Sequence, residues 1–310
     1  MPRSESASAE SESASAESAP ADFAALEETA RTWRPDDVRT ADALDPGPTA
    51  ALSAVLDLPA PAAVEGDPLP PLWHWLHFLS WPRHSDLGVD GHLRDSDFLP
   101  PLPQRRRMFA GGRLEVTVPL TAGRPAEQHS RVSRVEPKRG RSGDLLFVTV
   151  RSEFRQDGRL CVTEEQDLVY RSGGPAPGPA APALDTESRP RDGTSPWQRE
   201  WRTDPALLFR FSALTANAHR IHYDAPYTTG VEGYPGLVVH GPLLVLAMLE
   251  LVRRQQPGRR VRSVSYRLNK PAFCGERLLA CGGPEAGGTA RLRIASHREE
   301  AHAGADVGFA

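Results

Sequence analysis

The sequence predicts an α+β chain in two halves, each setting helical material against an antiparallel sheet. Three observations carry this expectation. Between Arg107 and Arg171 four segments alternate apolar and polar residues, and an Asp157-Gly158 pair between the last two marks a tight hairpin turn. A second set of strand-like segments follows from Arg259 to the end. Ahead of that set, Leu243–Val252 is apolar on almost every side, the mark of a helix buried all round.

Taken in order, residues 1–21 hold SESASAE twice in succession. This stretch is acidic and lacks an apolar core, so a disordered leader is expected in place of an export signal. Phe23, Leu26, Ala30 and Trp33 share a helical face, with Asp22 as N-cap and Pro35 as stop. A second helix is expected within 41–58, its entrance marked by Pro46 and Pro48. LWHWLHFLSW, residues 72–81, is aromatic and buried in character but too short to separate helix from strand. The proline-broken stretch 81–103 reads as a long surface excursion, either a functional lid or an insertion.

The four strands of the first half follow, beginning with RMFAGGRLEVTVPL, in which Leu114, Val116 and Val118 share a face. Residues 172–196 are rich in Pro, Gly and Ala without periodicity and read as a linker. The expected domains are therefore 22–171 and 197–310. In the second, Gly241-Pro242 opens the apolar helix and Arg253-Arg254 lies in its last turn, both sound terminal signals. Strand segments 259–273, 276–283, 289–300 and 302–310 complete the half. Element order repeats between the halves, although no similarity of sequence is evident.

Bulk properties exclude several classes. A formal charge of −3 gives no reason to expect nucleic acid or an anionic membrane as partner. Three cysteines, odd in number and without a Cys-x-x-Cys pair, argue against a disulfide scaffold or zinc site and for a reducing, cytoplasmic location. The longest apolar run, Gly236–Val252, includes His240 and Glu250 and falls short of the ~20 apolar residues a membrane span requires.

The chemistry is concentrated just before the apolar helix. Asn217, His219, His222 and Asp224 lie within a few residues of one another, and His240 and Gly241 follow at the helix start. A helix start offers free N–H groups and partial positive charge, suited to a developing oxyanion. The plain alternative is a polar loop with one residue capping the backbone; Asp224 in particular is placed to cap the turn at Ala225-Pro226. His-x-x-His without a third ligand at characteristic spacing does not argue for a metal. The arginine runs at 105–107 and 138–141 are read as solvated faces ahead of a phosphate site.

FSALTANAHRIHYD followed by EGYPGLVVHGPL resembles the type 2 hydroxyacyl-thioester dehydratases, a group of MaoC-like hydratases and dehydratases to which mesaconyl-CoA hydratases are related. RMFAGGRLEV, GRSGDLLFVTVRSEF and VTEEQDLVYR resemble the amino-terminal half of the same group, so the likeness spans roughly residues 70–280. It implies a double hot-dog, two antiparallel sheets each wrapped around a central helix, with the first half accommodating substrate and the second catalytic. The implied reaction is reversible addition of water across the 2,3-double bond of an enoyl thioester on CoA or acyl carrier protein. No cofactor is implied beyond the carrier, and a homodimer is compatible.

In the wider group an Asp stands five residues before the catalytic His; here that His is His222 and the earlier position is Asn217. On this resemblance His222 is the expected general base at C2, because imidazole titrates nearest working pH. Asn217 would orient water or hydroxyl, and Asp224 would position His222 or exchange the hydroxyl's proton. Gly241 N–H would polarise the carbonyl, with His240 and His219 beside it. Two competing expectations stand: a hot-dog thioesterase using Asp224 to activate water at the carbonyl, and a non-catalytic acyl-thioester-binding protein.

Overall fold

The computed structural model describes residues 23–102, 106–140, 143–171, 183–190 and 194–310. The expected leader, Asp22, Arg105, Arg141 and the greater part of the expected linker lie outside the described residues. The amino-terminal half holds α1 (Phe23–Thr32), β1 (Val38–Asp42), α2 (Pro46–Val55), a 3₁₀ turn at Trp73–Leu76, and β2 (Arg106–Val116), β3 (Ala126–Gly140), β4 (Gly143–Gln156) and β5 (Arg159–Arg171). The carboxy-terminal half holds β6 (Trp197–Arg202), α3 (Pro205–Leu214), a 3₁₀ turn at Arg220–His222, α4 (Ala225–Gly230), α5 (Gly241–Gln255), β7 (Val261–Leu268), β8 (Arg277–Glu285), β9 (Thr289–Ala295) and β10 (Ala303–Phe309).

The ten strands form one antiparallel sheet in the order β1-β3-β4-β5-β2-β7-β10-β9-β8-β6. Each half contributes its strands in the same pattern, and the halves meet through the second strand of each. This is the double hot-dog that the motifs imply. The β4–β5 turn is the hairpin that Asp-Gly predicts: Asp157 and Gly158 alone span Gln156 and Arg159, both with positive φ, 50° and 74°.

The first-domain sheet was expected to have four strands; β1 is a fifth, pairing with β3 from Val38↔Ser130 to Asp42↔Ala126. Four of its five residues are exposed, so VRTAD carries no alternating apolar signal. β6 was missed likewise and pairs with β8 at the opposite edge.

The seam between halves depends on Gly111 and Gly112. Here β2 and β7 pair, with Gly111↔Arg267 and Gly112↔Tyr266. A Cβ on Gly111 would lie 2.4 Å from the Tyr266 carbonyl oxygen, and one on Gly112 would lie 2.5 Å from the Tyr266 hydroxyl. Across this seam the core is continuous, joining Leu52, Trp73 and Phe154 to Leu243, Leu246 and Ile294.

The helix α5 fills its half. Leu243, Leu244, Val245, Leu246, Met248, Leu249, Leu251 and Val252 are all buried, each side chain stabilising by ~1.5–3 kcal/mol relative to exposure. Its one inward acid, Glu250, is held by Arg253 and Arg254, each at 2.7 Å.

Among the described residues the other half shows no such helix. Its α2 corresponds to α3: each opens on Asp-Pro, Asp45 capping Gly47 N and Asp204 capping Leu207 N. Each carries a buried serine, Ser53 or Ser212, eight residues after that aspartate. Where α5 should have its counterpart, LWHWLHFLSW forms only the four-residue turn Trp73–Leu76. The space so left becomes a cleft.

Replacing Gly111 by Ala is expected to force the seam apart, costing about 1–3 kcal/mol as over-packing does. Gly230→Ala, where a Cβ meets nothing within 4 Å, should be near neutral. Thermal unfolding of the two variants checks this; equal melting temperatures would refute the account of the seam.

Candidate active site

A cleft of about 1140 Å³ opens where the long helix is missing, and its wall includes Asn217, His219, His222 and Gly241. His222 sits at the end of a 3₁₀ turn and is only 6% exposed. Its Nδ1 donates to the Val238 carbonyl at 2.7 Å. Val238 is itself fixed, its N–H donating to the Ile221 carbonyl at 2.9 Å and its backbone bridging Phe273. The proton therefore belongs on Nδ1, leaving the Nε2 lone pair for the cleft. Burial pushes the His222 pKa down to about 4, against the Val238 bond, which raises it; the His92 charge lowers it further. The imidazole is neutral near pH 7.

His240 lies beneath it, the rings stacked at 3.7 Å and 17°. His240 was expected to bind substrate, but its side chain is fully buried, its Nε2 meets Ser212 Oγ at 2.8 Å, and its Nδ1 has no partner. It supports His222 and does not face the cleft. Burial holds its pKa well below the ordinary imidazole value, with the charges of His222 and His219 acting in the same direction.

Asn217 Oδ1 accepts from His219 N at 3.0 Å, closing a local turn. Its amide nitrogen remains a donor toward the cleft. His219 packs edge-on to His222, ring centres 5.6 Å apart. Burial, then His92, then His222, depress its pKa to about 2.

Asp224 does not join the group. Its Oδ1 accepts from Tyr227 N at 3.1 Å, and its Oδ2 pairs with Arg220 at 2.7 Å. It is absent from the cleft wall. The capping alternative describes it, and neither positioning of His222 nor proton exchange with substrate fits: the Val238 carbonyl already holds the imidazole.

Gly241 begins α5, where its N–H has no acceptor four residues back within the helix. A Cβ there would lie 2.2 Å from Leu268 Cδ1, so glycine lets β7 approach the helix start.

The described part of the excursion, residues 81–102, lies against this site. Asp90 O accepts from Arg220 N at 2.9 Å, Val89 O accepts from Arg220 Nη1 at 2.9 Å, and the His92 ring lies 4.1 Å from that of His219. Ligand-type atoms of Asp90, His92 and His219 lie within 4.8 Å of one another, as in sites that hold a divalent ion. Sequence reasoning missed Asp90 and His92, since more than a hundred residues separate them from the motif.

Across the cleft the first half offers polar groups. Glu164 accepts from Trp75 Nε1 and meets His74 Nε2, both at 2.8 Å, and His77 Nδ1 lies 3.2 Å from Asp42.

A family model described as hydroxyacyl-thioester dehydratase type 2 matches residues 72–274. The mesaconyl-C(4)-CoA hydratase of Chloroflexus aurantiacus is 45% identical over 77% of this chain and 81% of its own. Among solved structures, HtdX of Mycobacterium tuberculosis superposes with a TM-score of 0.62 at 17% identity, covering 89% of this chain and all of that one. Another M. tuberculosis protein, described as a double hot-dog, gives 0.51 at 15% identity over 89% of this chain and 96% of its own.

The depressed His222 pKa has a consequence for stability. Between about pH 6.5, where a free imidazole protonates, and the folded value near 4, the unfolded chain binds a proton that the folded one refuses. Stability therefore falls as pH drops through this window. His222→Gln should reduce the slope of stability against pH there by up to one proton; urea unfolding at several pH values measures it, and an unchanged slope would refute it.

Proposed function

The chain belongs to the hydroxyacyl-thioester dehydratase type 2 family, hydro-lyases that add water to or remove it from acyl thioesters, and we propose that it acts on a short, polar enoyl-CoA with His222 as the base. The observation that carries the assignment is the His222–Val238 bond. It fixes the tautomer so that Nε2 faces the cleft beside the start of α5.

In dehydration, Nε2 takes the C2 proton. Gly241 N–H, at the positive end of α5, stabilises the charge that develops on the thioester oxygen. The Asn217 amide donates to the C3 hydroxyl and orients it. Burial keeps bulk water from competing for these bonds, which strengthens each of them.

A thioesterase needs a carboxylate to activate water at the carbonyl. Asp224, the one that reading rests on, is committed to Arg220 and to Tyr227 N.

The acyl preference follows from the cleft's far wall. His74, His77 and Glu164 stand in that wall already buried and paired, His74 with Glu164 and His77 with Asp42, but His77 Nε2 has no partner, and a polar acyl group can supply one where an alkyl chain cannot. A short acyl group bearing a second carboxylate suits that wall, and the relative named for mesaconyl-C(4)-CoA is in keeping. Arg107 lines the same cleft and supplies a cation for such a carboxylate.

The test is a panel of enoyl-CoAs, crotonyl, branched dicarboxylic and long-chain, followed by loss of enone absorbance and by free thiol. We expect hydration without thiol release, fastest on the dicarboxylic substrate. His222→Ala should lose ~10²–10⁴-fold in turnover, the usual worth of general base catalysis. Thiol release, or near-normal turnover by that variant, would overturn the reading.

A further inference from the structure

Removing water from a 3-hydroxyacyl thioester requires two proton transfers, one from C2 and one to the departing oxygen. His222 accounts for the first. Asn217, which replaces the expected carboxylate, cannot exchange a proton near neutral pH, and Asp224 is turned away in its ion pair. His219 is enclosed between two other imidazoles.

We propose that His92, held by Asp90, is the second proton-handling group of the site, delivered by the amino-terminal half. This rests on the hydro-lyase reading above. His92 lines the same cleft as His222, and ring contacts of 4.1 Å and 5.6 Å run from it through His219 to His222. Its Nδ1 meets Asp90 Oδ2 at 2.8 Å, which leaves Nε2 as the exchanging atom. This is the arrangement in which a carboxylate fixes an imidazole's tautomer and orientation.

The loop that presents the pair is closely built. Asp90 Oδ1 accepts from His92 N at 2.9 Å. Gly88 N donates to His92 O at 2.7 Å, and Gly91 N to Gly88 O at 3.0 Å. Gly91 has φ of 89°, and a Cβ there would lie 1.9 Å from the Ala218 carbonyl oxygen. Only glycine permits this approach, which sets the turn against the segment between Asn217 and His222. The Asp90 carboxyl is well below the usual range: burial opposes ionisation, but the His92 hydrogen bond, charge and backbone N–H, with the His219 charge, outweigh it. The pair thus holds an ionised acceptor beside an imidazole at the substrate's edge.

The step balances. His222 Nε2 takes the C2 proton, and the C–H electron pair becomes the second bond between C2 and C3. The C3–O bond breaks with its pair on oxygen, which takes the Nε2 proton of protonated His92 and leaves as water. His222 then loses its proton to solvent and His92 regains one, so the enzyme returns to its starting state. Hydration is the reverse, with His92 accepting the proton of the attacking water. A divalent cation held by Asp90, His92 and His219 is the rival use of these groups, and the test below separates the two.

Steady-state hydration by the full chain tests this. We expect His92→Ala to lose ~10²-fold or more in kcat, with KM within about threefold and turnover partly restored by imidazole added to the buffer. Asp90→Asn should lose less, with no imidazole rescue. Thermal unfolding and affinity for a saturated acyl-CoA show whether each variant keeps its fold and cleft. A folded His92→Ala with wild-type kcat overturns the proposal, as does a loss of kcat that imidazole does not restore in a variant that still binds. A stoichiometric metal in the purified enzyme, with activity abolished by chelators, overturns it in favour of a metal centre. A wild type that adds no water would sink both readings together, whereas an active wild type with an active His92→Ala sinks this one alone.

Discussion

The backbone contact between β2 and β7 at Gly111 and Gly112 is the constraint from which most of the structure follows. Two five-stranded sheets could each have closed on its own helix. Here side-chain-free residues let the strands meet directly, and the ten strands become one sheet. One core then serves both halves, so a single long helix, α5, suffices to fill it. The other half gives up its central helix and keeps only the turn Trp73–Leu76. A missing helix in an isolated domain would leave a void costly in packing. Against a neighbour already anchored by α5, it leaves a cleft with a floor on one side and the His222 turn on the other.

The site's electrostatics depend on the same enclosure. His222, His240 and His219 are brought ring against ring, and burial, aided by the charges of neighbouring imidazoles, keeps them neutral. Neutral imidazoles stack without repulsion; protonated ones would not. On the proposed mechanism, neutrality makes His222 an available base, while its low basicity leaves the rest of the barrier to the α5 terminus at the developing oxyanion. The stability given up below pH 6.5 is the thermodynamic counterpart of holding that base uncharged.

Legibility in the sequence followed local signal strength. The Asp157-Gly158 hairpin, the apolar α5 and its Gly-Pro start depend on neighbours in the chain, and all appear as expected. The motif around Asn217 and His222 marked the cleft for the same reason. Strand β1 was hidden because it is exposed along nearly its whole length, and β6 because Arg199 takes the middle inward position of its alternating pattern, leaving only Trp197 and Trp201 to mark an apolar face. LWHWLHFLSW was ambiguous because its burial comes from a cleft wall and a shared core, and neither imposes a period. The internal repeat was also present, in two Asp-Pro starts each followed by a buried serine at the same offset, but so short a signal is recognisable only once α2 and α3 lie in equivalent places. Asp224 shows the opposite error. Proximity in sequence suggested proximity in chemistry, yet two residues beyond His222 its side chain serves the next helix.

What sequence distance hid most completely was the excursion 81–103. An isolated loop of that length, with Trp81 and Val89 largely exposed, is compatible with an insertion that does nothing. Its docking is too specific for that. Arg220, within the His222 turn, donates to two successive carbonyls of the loop and also pairs with Asp224, the cap of α4. One arginine therefore ties the excursion, the His222 turn and the following helix into a single rigid unit. Any change that moves the excursion moves the turn carrying His222 with it. The seam at Gly111 and Gly112 explains why this coupling is affordable: with both halves in one sheet, the loop from one and the turn from the other keep a fixed separation. The cleft accordingly belongs to the fused pair, since the half that carries His222 lacks the wall and loop that complete it.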